Sequence, residues 1–436
     1  MNLFIYRTFL KLYPAALRLV APWNSKARRW LKGRADIIEH IRTELANSNG
    51  RRNIWMHCAS LGEFEQGRPV LERLRAQYPG YQYIVTFFSP SGYDASRAYK
   101  GADHIFYLPM DSAEHAKQVT DLFDPAIVIW VKYDYWYFYL HELHERGIPV
   151  LLLSGIFQRR MAFFKWYGGI QRKMLHSISH FFVQDEPSMF LLRKLGIKTV
   201  TVSGDTRFDR VIEIARWTGD LPGIKEFCGS DPVIVAGSTW QEDEEELDHF
   251  ANIHPEIKFI IAPHEVGVER IAEVEKLFKR AVKYSEWGVV SGEWGKEHQG
   301  PTHLPLATTH SPVPNVLIID NIGLLSRLYR YATITWVGGG FGDEGVHNVL
   351  EAAVYGKPVV FGPVYDKFIE AVELVGSGGG FSVENALEAE TLFTSLLIDK
   401  EEYDLACEAS REYVYSNKGA TEKIVAFVQE NRLLTN

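Results

Sequence analysis

At 436 residues, with 46% hydrophobic and 23% charged residues, the chain has the composition of a soluble globular protein and exceeds one ordinary core, which implies two domains. Its three cysteines, Cys58, Cys228 and Cys407, lie far apart with no C-x-x-C pair, so neither a disulfide framework nor a zinc cluster is expected and a reducing compartment fits. No run of about 18 uncharged apolar residues marks a membrane span, and a net charge of −8 gives no reason to expect a nucleic-acid partner.

In chain order, the charge is uneven from the start. Residues 1–52 carry eleven Lys/Arg against three acids, a balance of +8 that leaves −16 on the remainder. Within the first 22 residues, Leu3, Phe4, Ile5, Phe9, Leu10, Leu12, Leu17 and Leu19 alternate with Arg7, Lys11 and Arg18, cations spaced by four and seven on one helical face. The pattern suits a helix lying in a membrane interface with anionic headgroups against its cations. The competing reading is a helix packed on its own domain. A cleaved signal lacks its A-x-A site.

From residue 54, short apolar runs alternate with amphipathic segments. Strands are expected at 54–57, 82–88, 104–108, 126–131, 149–153, 180–183 and 199–202, with helices such as 64–77, 112–123, 135–146 and 186–195 between them. After a break at 204–232 the alternation resumes, with strands 233–236, 257–262, 316–319, 332–337 and 358–361. Helices are expected at 241–252, 267–281, 346–356 and 367–374. A Gly/Pro/His-rich stretch, 291–315, reads as a long loop and 386–434 as helices. Continuous apolar strands separated by helices signal parallel sheets covered on both faces. The fold class is therefore α/β, with two Rossmann-like domains whose parallel sheets face a central cleft: a basic segment 1–50, a first domain 51–210 and a second 211–436.

Chemistry-bearing residues follow the strands, at the end of each sheet where such folds bind ligands. His57-Cys58-Ala59-Ser60-Leu61-Gly62-Glu63 follows the first strand. Glu63 there is either a general base or, since Ser60 and Glu63 match S-x-x-E, one half of a capping box. A base must face the gap between the domains; a carboxylate buried against its own domain would argue for the cap. Lys132 and Asp134, among the aromatics that follow strand 126–131, could contact a sugar or an acidic substrate, or form an exposed turn. Gly237-Ser238-Thr239 could hold phosphate, and the acids 242–246 behind it read as a solvated helix face. His264-Glu265 lacks the second histidine of a zincin, since position 268 is Val.

Residues 333–362 are the most informative stretch. The apolar run Ile334 to Val337 ends in Gly338-Gly339-Gly340, and a helix is expected from near Gly345, with His347, Asn348 and Glu351 at its start. Glycines between a strand and a helix admit an anion to backbone N–H groups, where the helix dipole favours phosphate. Gly340, Gly342 and Gly345 also spell G-x-G-x-x-G, with Asp366 beyond the next strand, so an NAD(P) site, another phosphate ligand and a structural turn all remain open.

Together these motifs resemble the 3-deoxy-D-manno-octulosonic acid (Kdo) transferases of lipopolysaccharide biosynthesis. Ser60-Leu61-Gly62-Glu63 resembles that family's S-x-G-E, residues 86–92 its threonine-rich turn, and Leu108-Pro109-Met110-Asp111 its L-P-x-D. Gly204 to Asp209 resembles G-x-x-K-F-D, Ala236 to Thr239 matches A-G-S-T, and Gly339 to Pro363 reproduces the long glycine block with His347, Asn348 and Glu351 in register. That block overrides the dinucleotide reading. Two departures stand out. Lys132 and Asp134 replace the glutamates of E-x-E-x-W, so no role of that first glutamate transfers, and P-R-H is reduced to Ala262-Pro263-His264.

The resemblance implies an inverting GT-B glycosyltransferase moving Kdo from CMP-Kdo to a lipid A precursor, without metal or other cofactor, at the cytoplasmic face of the inner membrane. It implies Glu63 as catalytic base. Donor contacts are expected from Gly237, Ser238, Thr239, His264, Gly339, Gly340, Gly345, His347, Asn348 and Glu351. Acceptor or sugar contacts are expected from Ser60, Gly62, Lys132 and Asp134. Two rivals remain at this level: an NAD(P)-dependent oxidoreductase, and a non-catalytic GT-B-like module that sits on membranes.

Overall fold

A computed structural model describes residues 3–46, 50–290 and 313–435, the side chains of 288–290 excepted; the stretch read as a loop at 291–315 lies largely outside them. The chain forms two units, residues 1–210 with 418–436, and residues 211–417.

The sheet of the first unit comprises β1 (Asn53–Cys58), β2 (Gln82–Phe87), β3 (His104–Tyr107), β4 (Pro125–Val131), β5 (Val150–Gly155), β6 (His180–Val183) and β7 (Val200–Val202). All pairings are parallel, in the order β3-β2-β1-β4-β5-β6-β7. Every residue of β1, β4 and β5 is buried, which explains their unbroken apolar runs: both faces are covered. The pleat still sorts them. Trp55 packs into one core with Ile84, Val128 and Phe181, while Ile54 and Met56 join Val85, Ile127 and Leu153 on the other.

The second unit repeats the plan with β8 (Val233–Thr239), β9 (Lys258–Pro263), β10 (Ala281–Lys283), β11 (Val316–Ile318), β12 (Ile334–Val337), β13 (Val359–Phe361) and β14 (Gly380–Ser382). Its sheet is also wholly parallel, ordered β10-β11-β9-β8-β12-β13-β14. The sequence reading missed β10 and β14. Both are three-residue edge strands, too short and too weakly apolar to produce a pattern.

Two expectations are corrected. The helix anticipated at 346–356 is only Leu350–Ala353, and residues 338–349 fold instead as turns, with Gly339 and Gly345 at positive φ (92° and 85°). The tail does not all stay with the second half. The helix Ala420–Glu430 belongs to the first unit, where Ile424, Val425 and Val428 enter the core beside Phe182. Asp209 caps it, its carboxylate accepting from Gly419 N (2.6 Å) and Thr421 N (2.7 Å).

The N-terminal helix, Leu3–Val20, packs one face on its own unit and leaves the other exposed. Tyr6 and Leu10 are buried, and Tyr6 donates its hydroxyl to Asp111 Oδ2 (2.7 Å) while accepting from Tyr137 N (3.1 Å). Phe4, Ile5, Phe9, Leu12 and Leu19 are exposed, as are Arg7, Lys11 and Arg18. Among the described residues no helix is long and apolar enough to cross a membrane.

Candidate functional site

In the first unit, the turn after β1 leads into the helix Leu61–Gln77, with Ser60 at the N-cap and Glu63 in the first turn. Glu63 is only 8% exposed. Its carboxylate is turned onto the amide of Ala59, with Ser60 and Tyr133 amides also near it. Ser60 makes no side-chain cap bond, so half of the capping box is formed. By the criterion stated above, this burial favours the cap over a base already turned toward substrate. A second property points to chemistry, however: burial and then the charge of Asp134 push Glu63 up to about 7, against the lowering effect of the amides.

Asp134 lies past the end of β4, its Oδ2 buried without a hydrogen-bond partner and 3.7 Å from His57 Nε2, itself unpartnered. His57 sits on β1, fully buried, with Nδ1 3.0 Å from Thr86 Oγ1; burial holds it below the usual histidine range. Lys132, at φ 50°, is buried and helps hold Asp205 below the usual carboxylate range, together with the nearer Arg207. Gly62 faces open space, with nothing beyond its chain neighbours and its own helix backbone within 4 Å of where a Cβ would stand. Ser60, Gly62, Glu63, Lys132 and Asp134 thus gather at one edge of the first sheet. His57 and Asp205, both buried near them, lie in stretches named from the sequence but were not among its candidate site residues.

In the second unit the glycine-rich block serves the protein's own packing. The Gly339 amide donates to Asp243 Oδ2 (2.9 Å), and that of Gly345 to Gly342 O (3.2 Å). A Cβ on Gly340 would stand 2.6 Å from Gly362 N, and one on Gly345 2.5 Å from the Phe368 ring. Gly237 leaves room for Tyr329 and Leu325. The expected cradle of amides around Gly339–Gly340, backed by a helix from near Gly345, is therefore corrected in part: the Gly339 amide is used internally and the helix is a single turn. The dinucleotide fingerprint fails for the same reason, since it requires a helix opening at its last glycine.

Of the acids 242–246 behind β8, Glu242 and Glu245 are exposed, as a solvated face requires, and two are corrected. Asp243 and Glu244 are fully buried. Asp243 accepts from Trp240 N (2.9 Å), Gly339 N and Trp336 Nε1 (3.3 Å), and burial pushes it up to about 6. Glu244 accepts from Thr239 Oγ1 (2.8 Å) and pairs with Arg270, so Thr239 is committed to the interior.

What remains available is aromatic. Trp240, His264 and His347 stack with near-parallel planes, His264 lying 4.6 Å from each of the other two ring centroids. Trp240 Nε1 donates to His347 Nε2 (3.1 Å), which assigns the Nδ1–H tautomer; burial and then His264 keep His347 below the usual range, so it is neutral near pH 7. His264 is exposed, and Ser238 stands beside it at φ 53°. Asn348 and Glu351 pair through Asn348 Nδ2 and Glu351 Oε1 (3.0 Å). Sequence reasoning missed Trp240, although its place directly after A-G-S-T was visible.

Residues 32–210 match the family model for 3-deoxy-D-manno-octulosonic-acid transferase. A 3-deoxy-D-manno-octulosonic acid transferase of Chlamydia trachomatis serovar A is 30% identical over 346 residues, covering 76% of this chain and 74% of that protein. The chain belongs to the Kdo transferase family. The family is one of glycosyltransferases, and the chain is an enzyme of that kind. A bifunctional glycosyltransferase/methyltransferase of Fusobacterium nucleatum is 25% identical over 96% of this chain, which spans 60% of that protein's length. The solved UDP-GlcNAc 2-epimerase of Neisseria meningitidis, 17% identical, covers 87% of this Kdo transferase-family chain and all of its own, with a TM-score of 0.59. That likeness, with the two seven-stranded parallel sheets, places the fold as GT-B.

Proposed function

We propose that this chain transfers Kdo from CMP-Kdo to a hydroxyl of a lipid A precursor with inversion at the anomeric carbon, working peripherally at the cytoplasmic face of the inner membrane. The observation that carries the chemistry is Glu63, a carboxylate pushed up to about 7 at the ligand-binding edge of the first sheet and within the family-matched region. In the reaction Glu63 takes the proton of the acceptor hydroxyl, the acceptor oxygen bonds to the anomeric carbon, and the bond to the phosphate oxygen breaks, CMP leaving with its electron pair. The buried carboxylate must exchange a backbone amide for the acceptor hydroxyl.

On the donor side, the Trp240–His264–His347 stack offers an aromatic face for the base, and His347 Nδ1–H and Ser238 Oγ are polar partners for the nucleotide. Glu351 would hold ribose hydroxyls, oriented by Asn348. The second reading of Glu63, a helix cap that only shapes the turn, is favoured by its contact with Ala59 and is separated by a variant described below. The overall function is tested by incubating the enzyme with CMP-Kdo and tetraacyl lipid acceptor. A product heavier by whole Kdo residues, with stoichiometric CMP, is expected. No product, or stabilisation by NAD rather than CMP in a thermal shift, would overturn the reading.

A further inference from the structure

We propose that residues 157–168, between β5 and the helix Gly169–His176, form a second contact with an anionic phospholipid surface, in addition to the Leu3–Val20 helix. From Ile156 to Gln184 the chain carries Arg159, Arg160, Lys165, Arg172 and Lys173 and no acid. Trp166 is 91% exposed, more than any other large apolar side chain among the described residues, and Tyr167 beside it is exposed too. The segment is braced. The Arg172 guanidinium donates to Phe163 O (3.2 Å) and Lys165 O (2.8 Å), Phe163 is buried edge-on against Tyr135 (4.8 Å), and the close approach of Ala162 O to Gly168 leaves no space for a Cβ. A fixed loop that holds an indole in water among unopposed cations matches the interfacial layer of a bilayer, where Trp and Tyr bury their rings and Arg meets phosphate.

The occupant follows from charge and from continuity. The N-terminal helix packs Tyr6 on Tyr137 (6.2 Å between ring centroids), and the loop packs Phe163 on Tyr135. Both exposed apolar-cationic elements are thus fastened to one short segment after β4, directly beyond Lys132 and Asp134. A bilayer touching both would lie beside the edge where a lipid-anchored acceptor presents its sugar. This rests on, and deepens, the membrane part of the proposed function.

The test is flotation of the 436-residue chain with phosphatidylglycerol-containing vesicles and with neutral phosphatidylcholine vesicles, at low salt. Trp166→Ala should lower the partition coefficient on anionic vesicles by about fivefold, and Arg159→Ala with Arg160→Ala by roughly tenfold or more. All three side chains are exposed, so melting temperatures should match wild type. Wild-type binding that falls with Phe9→Ala and Leu12→Ala but is untouched by the loop variants would overturn the loop and spare the helix. No wild-type binding to anionic vesicles would overturn both.

Discussion

Glu63 shows what a single side chain's surroundings decide. Its carboxyl is raised first by burial and then by Asp134, so at pH 5–6 it holds its proton, and only above about 7 is it the carboxylate a base must be. The expected kcat/KM profile therefore falls on its acid side, about tenfold per pH unit below that value. Asp134→Asn removes the neighbouring negative charge and should move that limb to lower pH; a limb unmoved by the substitution would separate Asp134 from Glu63. In the second unit, Trp240→Ala removes both a stacking partner and the donor that fixes the His347 tautomer. CMP affinity by calorimetry should drop about tenfold, and an unchanged affinity would remove the stack from the donor site. The motif positions at this scale were legible in the sequence, but the direction of each bond was not. The spacing of Gly339 announces an amide free of side-chain obstruction; that its partner is Asp243, 96 residues away, depends on burial of an acid that composition assigns to the surface.

At the scale of elements, the central strands could be read because burial on both faces demands unbroken apolar runs, as in Pro125–Val131. The helix after Gly345 could not be placed correctly. Positive φ at Gly345 and Asn348's hydrogen bond to the Leu350 amide delay its start to Leu350, although the apolar spacing alone permits an earlier one. The last helix illustrates a cap acting across sequence distance. Asp209 takes the amides of Gly419 and Thr421, so Asp209→Ala should cost about 1–2 kcal/mol and release the helix Ala420–Glu430. Hydrogen exchange should accelerate at 420–430 first; protection equal to wild type would mean the apolar contacts of Ile424 and Val428 suffice without the cap.

For the whole molecule, the two-sheet plan was visible as an alternation that stops near residue 205 and starts again at 233, while the return of residues 418–436 to the first unit was not, because a chain crossing back leaves no periodic signature. Family and fold are secured by the matched region, the Chlamydia relative and the parallel sheets. The central claim is narrower: that the carboxylate of Glu63 removes the acceptor proton. Glu63→Gln tests it most directly, because glutamine's carbonyl oxygen can still accept from the Ala59 amide and preserve the turn, yet cannot accept a proton at neutral pH. Kdo transfer from CMP-Kdo to the lipid acceptor should fall by roughly a hundredfold or more in this variant, with CMP-induced thermal stabilisation unchanged. Transfer near the wild-type rate would contradict the account and leave Glu63 as the cap of its own helix.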